Sequence, residues 1–140
     1  MTQDTRLARM LHVLVHMHLR GGTTTSETIA LMLHTHPVVV RRTMAALRDA
    51  GYVRSTGGRG GGWALDGDIL ELTVREVHAA LAPNTLFAIG PAQDNPNCPV
   101  EQAVNAFLLQ AMADAEATWL DRLGHRRLRD LLPPARSLNT

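Results

Sequence analysis

The chain has 140 residues, of which 45% are apolar but only 4% aromatic, so it can bury one core built from Leu, Val, Ala and Met and is not a disordered polymer. No apolar run reaches the roughly 18 residues of a membrane span, and no basic segment followed by a greasy stretch opens the chain, so a cytoplasmic protein without membrane partners is expected. The net charge of +1 hides an asymmetry: residues 1–62 carry eight arginines against three acids, a net +5, and residues 63–140 carry six against ten, a net −4.

In chain order, residues 5–20 predict a helix with Leu7, Met10, Leu11, Leu14 and Met17 or His18 on one apolar stripe. Gly21 and Gly22 end it. Thr24, Thr25 and Ser26 offer N-cap oxygens for a short helix through Leu33. His34-Thr35-His36 reads as a turn, and Pro37 suits the first position of a third helix that runs to Ala50 and buries Val40, Met44 and Leu47. The period then changes. Residues 52–55 predict a strand, 57–61 a glycine-rich connection and 62–65 a return strand with Trp63 and Leu65 on one face.

Thr73 predicts the cap of a helix through Ala82, and residues 83–97, rich in Pro and Asn around Leu86 and Phe87, predict a loop. A long helix is expected from Pro99 to Leu123. Its stripe of Val100, Val104, Phe107, Leu108, Ala111, Ala115, Trp119 and Leu123 suits packing against another helix, a twin subunit above all. A last short helix is expected over residues 125–132, stopped by Pro133-Pro134.

Three short helices followed by a hairpin give the winged helix-turn-helix order, a mainly α fold with a small β-wing. Four parts are expected: a DNA-binding domain over 1–66, a connecting helix and loop over 67–98, dimerisation and closing helices over 99–132, and a tail over 133–140. The helix from Pro37 would enter a major groove with Val38, Val39, Arg41 and Arg42. Arginine can grip guanine through two hydrogen bonds, and a valine methyl can rest on that of thymine. Thr24, Thr25, Ser26 and His36 are placed to meet phosphate. Arg59, alone among glycines at the wing tip, fits a narrow minor groove.

The glycine run does not end in Gly-Lys-Ser/Thr, and Arg59 breaks the dinucleotide spacing, so neither phosphate loop fits. Scattered carboxylates and the lack of a nucleophile with a partnered base speak against an enzyme. One cysteine excludes an intrachain disulfide and an all-cysteine metal site. Cys98, just before a predicted helix, is a candidate redox-sensing thiol, with an inert half-buried cysteine as the plainer alternative. His12 and His16, four apart, and the His34/His36 turn complete no recognised zinc motif, so no metal is expected.

The segments 35–42 (Thr-His-Pro-Val-Val-Val-Arg-Arg), 47–53 (Leu-Arg-Asp-Ala-Gly-Tyr-Val) and above all 58–65 (Gly-Arg-Gly-Gly-Gly-Trp-Ala-Leu) resemble the Rrf2 family of winged-helix regulators, as does the closing Leu128-Arg129-Asp130-Leu131-Leu132. That family includes repressors of iron–sulfur-cluster assembly, nitric-oxide response and cysteine metabolism. The resemblance implies a homodimeric repressor whose long helix crosses its twin and whose two recognition helices meet a near-palindromic operator in double-stranded DNA. Cluster-binding members use three cysteines in the loop before the long helix. With one cysteine, and with Asn97-Cys98-Pro99-Val100 and Arg41-Arg42, this chain resembles the cluster-free members, and no cofactor is expected. Some members carry glutamate where Arg41 stands, which implies a different operator. The effector is left open between thiol oxidation and a small molecule near Leu86 and Phe87. The competing function is a winged-helix module that binds protein partners instead of DNA.

Overall fold

The structure is a computed structural model that describes residues 3–58, 61–81 and 86–134. Helix α1, Arg6–Arg20, lies at its centre, packed against most of the elements that follow, and Met10, Val13, Leu14 and Met17 are buried. The expected stripe is shifted slightly. Val13 is fully enclosed, whereas His18 is exposed and Leu7 and Leu11 only fringe the core.

Helix α2, Ser26–Leu33, is capped by Thr25, whose Oγ1 accepts from the Thr28 amide at 3.2 Å. It adds Ile29 to the core. His34 ends it in the left-handed region at φ 49°, which reverses the chain within two residues. His36 then caps α3, Pro37–Asp49, its Nδ1 accepting from the Val38 amide at 3.2 Å. The helix buries Val40, Met44 and Leu47, as its period predicts, and Thr43.

Strands β1, Val53–Thr56, and β2, Gly62–Leu65, pair antiparallel, with Val53 opposite Leu65 and Thr56 opposite Gly62. A 3-10 turn at Ile69–Glu71, not foreseen in the sequence, follows and is capped by Asp68. Helix α4, Val74–Ala79, opens with a reciprocal capping box between Thr73 and Glu76 and stops sooner than the expected Ala82.

Helix α5, Pro99–Gly124, is 26 residues long and buries none of them fully. Its partner within the chain is α4. The expected closing helix shrinks to a 3-10 turn, Leu128–Leu131. The reason is tertiary: the Val74 amide donates to the Arg126 carbonyl and the Leu128 amide to the Leu72 carbonyl, both at 2.9 Å. Arg126 and Arg127 are therefore held out of a helix, and the chain turns again only from Leu128. Leu128 plugs the same core as α1, so that core crosses the boundary expected near residue 66.

Candidate nucleic-acid interface

The wing is fastened to the start of α2. Thr24 and Trp63 exchange two backbone hydrogen bonds of 2.8 Å, and the Trp63 indole N–H donates to Ser26 Oγ at 3.1 Å. The approach is so close that a Cβ on Gly62 would meet the Thr24 carbonyl oxygen at 2.5 Å. This contact fixes the angle between the hairpin and the two helices of the helix-turn-helix.

It also bears on the expected phosphate contacts. Thr24 is fully buried, so its hydroxyl cannot reach a ligand in solvent. Thr25 donates its hydroxyl to Thr28 Oγ1, whereas Ser26 Oγ accepts from the Trp63 indole, a bond that does not use its own O–H. What the segment offers outward is the N-terminal end of α2, where free N–H groups and the helix dipole favour an anion.

On α3 the four expected contact residues divide. Arg41 and Arg42 are exposed, and neither makes an ion pair among the described residues. Val38 is half-buried and lies opposite the core-facing Val40, Met44 and Leu47 by helical spacing. Val39 is also half-buried, but it lines a groove between α1, α3 and the residues that follow α4, which Arg42 borders as well. The solvent-facing side of the helix therefore carries Val38, Arg41 and Arg42, and by helical spacing Arg42 lies farther from the core-facing residues than Arg41. His36 is exposed but already occupied as the α3 cap.

At the hairpin, Gly58 takes φ 89° and its carbonyl accepts from the Gly61 amide at 3.1 Å. Arg59 itself lies outside the described residues. Arg54, on the exposed side of β1 opposite Ala64, is a cation the sequence reading passed over. Its signal was the in–out alternation of Val53 and Arg54.

The stripe on α5 also divides. Val100, Val104 and Phe107 are 70%, 51% and 71% exposed, and Ala111 and Ala115 are exposed too. Leu108, Trp119 and Leu123 are half-buried, and the Trp119 ring meets His78 of α4 edge-on, centroids 6.3 Å apart. Trp119 thus has a partner within its own chain. Burial holds the His78 pKa below its ordinary value, against a smaller opposing pull from Glu116.

A family model for Rrf2, described as an iron-dependent transcriptional regulator, matches residues 3–134. The chain belongs to the Rrf2 family of transcriptional regulators. YwnA of Bacillus subtilis (strain 168), described as an HTH-type transcriptional regulator, is 30% identical over 130 residues, covering 92% of this chain and 96% of YwnA. The solved structure of a protein described as a transcriptional regulator from Lactobacillus plantarum has a TM-score of 0.78 at 19% identity, covering 92% of this chain and 88% of its own. CymR, the global cysteine regulator of B. subtilis, has a TM-score of 0.58 at 16% identity, covering 94% and 95%. These two structural likenesses show a shared winged-helix fold.

The iron in the Rrf2 description can be tested on the residues present. Iron–sulfur clusters are held mainly by cysteine thiolates. This Rrf2 chain has one, Cys98, half-buried at the N-cap of α5, and no group of three or more His, Cys, Asp or Glu among the described residues can hold a metal ion. The donor set of a single chain does not fit a cluster. Nor is any helix among the described residues long and apolar enough to cross a membrane.

Proposed function

We propose that this Rrf2 protein is a sequence-specific repressor that binds duplex DNA as a homodimer. In this reading α3 of each protomer lies in a major groove, with Val38, Arg41 and Arg42 toward base edges. The N-terminus of α2 at Thr25 and Ser26, together with His36, faces phosphate, and Arg59 on the wing tip reaches the neighbouring minor groove. Residues 1–66 supply the DNA-binding part, and residues 99–132 the dimerisation part.

The observation that carries the reading is the pair Arg41 and Arg42: two exposed guanidiniums, without ion-pair partners among the described residues, in the first half of the second helix of a helix-turn-helix. Dimerisation is supported by α5. A helix of 26 residues, about 39 Å long, that buries no side chain fully within its own chain leaves Val100, Val104, Phe107 and Ala111 on one seam at spacings of four, three and four. An apolar seam of that kind calls for a second helix, and a copy of α5 supplies one.

The test is a gel shift of the purified protein on the DNA upstream of its own gene, repeated at rising salt. Binding that weakens steeply with salt is the expected result. A protein that ignores duplex DNA at low salt but captures protein partners would replace this reading with that of an interaction module.

A further inference from the structure

Beside the recognition helix lies a groove of about 770 Å³, walled by α1, α3 and the residues Ala80 and Leu81 that follow α4. That volume falls within the range typical of small-molecule sites. Its floor is apolar, with Met10, Val39, Ala46 and Leu81, and Arg9 and Arg42 stand at its edge.

The charges around it are unequal in their engagement. Arg6, also on the lining, is committed to Asp4 by contacts of 2.7–3.1 Å, and its hydrogen bonds pull the Asp4 carboxyl down to about 2. Asp49, the acid of the lining, sits 3.4 Å from the Arg48 guanidinium. Arg9 and Arg42 have no hydrogen-bond or ion-pair partner among the described residues, and Arg9 is half-buried. Arg9 does feel Asp4 electrostatically, but that carboxylate is hydrogen-bonded to Arg6. A partly desolvated guanidinium whose acidic neighbour is already held, beside an apolar wall, favours a ligand that brings both an anion and a hydrocarbon body.

We infer that this groove binds a small amphipathic carboxylate, its carboxylate bridging Arg9 and Arg42 and its hydrocarbon part lying on Met10, Val39 and Ala46. A bare phosphate would leave the floor unused, and a neutral lipid would leave the two cations unpaired. The site stands apart from the DNA-binding reading; only its consequence rests on that reading. Because Val39 and Arg42 belong to the recognition helix, a ligand that holds Arg42 competes with DNA for it, and the two affinities are reciprocally linked. The groove is then where a metabolite signal enters, and its lining includes neither Cys98 nor Leu86 and Phe87.

Calorimetric titration of the full chain with octanoate, against 1-octanol and acetate as controls, tests the site without DNA. Octanoate is expected to bind with one site per chain, and octanol and acetate about tenfold more weakly or worse, since each lacks one half of the recognition. Arg9→Leu is expected to lose about tenfold in octanoate affinity, and Arg9→Lys to keep most of it. Thermal unfolding confirms that both variants fold. Octanoate that binds Arg9→Leu as well as wild type, or octanol that binds as well as octanoate, overturns the site. On upstream DNA, octanoate is expected to release the wild type but not Arg9→Leu. If octanoate binds yet leaves DNA affinity unchanged, the switch is overturned. Binding of octanoate by a protein that shows no DNA affinity at all would sink the DNA reading and support the groove.

Discussion

The indole of Trp63 and the hydroxyl of Ser26 lie 37 residues apart in sequence and 3.1 Å apart in space, so the wing and the first helix of the helix-turn-helix move as one body. Two variants separate the parts of this junction. Trp63→Phe keeps the ring but removes the donor, and is expected to cost about 0.5–1.5 kcal/mol in urea unfolding. Gly62→Ala forces a Cβ against the rigid Thr24 carbonyl and should cost more, about 1–3 kcal/mol, because backbone on both sides must shift. Equal stability of Gly62→Ala and wild type would mean that the strand is not pressed against Thr24.

His34 is the one non-glycine residue at positive φ among the described residues. Glycine occupies that region without a Cβ penalty, whereas a β-branched residue is strained there. His34→Gly is therefore expected to be neutral or slightly stabilising, and His34→Val to lose about 1–2 kcal/mol in the same unfolding assay. A helix-turn-helix that tolerates valine there would show that the turn can be made another way.

Much of this fold was legible because local chemistry and tertiary packing agree. Pro37 after a capping His36, the 3.6-residue period of Val40, Met44 and Leu47, and the glycine-flanked hairpin all predict what forms. The misses come from long-range pairing. Residues 125–132 have a helical pattern, yet the bonds from Val74 to Arg126 and from Leu128 to Leu72 hold Arg126 and Arg127 out of a helix and leave only a 3-10 turn after them. Of the site, Arg41 and Arg42 were readable as exposed cations. The burial of Thr24 was not, since nothing in a run of three threonines says that the wing covers the middle one. The separation of Val39 from Val38 depends on where α1 and α4 sit, which no local spacing records.

Burial of His78 lowers its pKa, so the folded protein disfavours the proton that the unfolded chain accepts. Its contribution to stability is fully present above the ordinary histidine range and is lost as pH falls through the lowered folded value. The melting temperature is expected to fall on acidification from about pH 8 to about pH 5, and to fall less in His78→Gln, which cannot titrate. The remainder is assigned to His12, whose pKa is also lowered, by burial and then by its stacked neighbour His16, ring centroids 5.6 Å apart. An unchanged pH dependence in His78→Gln would refute the assignment.

Phe107, 71% exposed, sits in the middle of the proposed α5 seam. Phe107→Glu is expected to leave the helical content of a single chain unchanged while shifting sedimentation from dimer to monomer. A glutamate at an exposed site costs the monomer little, whereas two like charges in a desolvated seam cost the dimer several kcal/mol. DNA affinity should fall with the loss of the second half-site. A variant that remains dimeric would place the interface on another surface.

The most direct test of the central claim is a titration of Arg41→Ala and Arg42→Ala against upstream duplexes carrying single base-pair changes. A recognition helix seated in the major groove predicts that Arg41→Ala loses its preference at one particular base pair, by about 1–3 kcal/mol, while other positions keep theirs. Arg42→Ala, on the same exposed face, is expected to lose preference at a neighbouring base pair by a similar amount. If both variants kept the wild-type preference at every position, α3 would not be the element that reads the DNA.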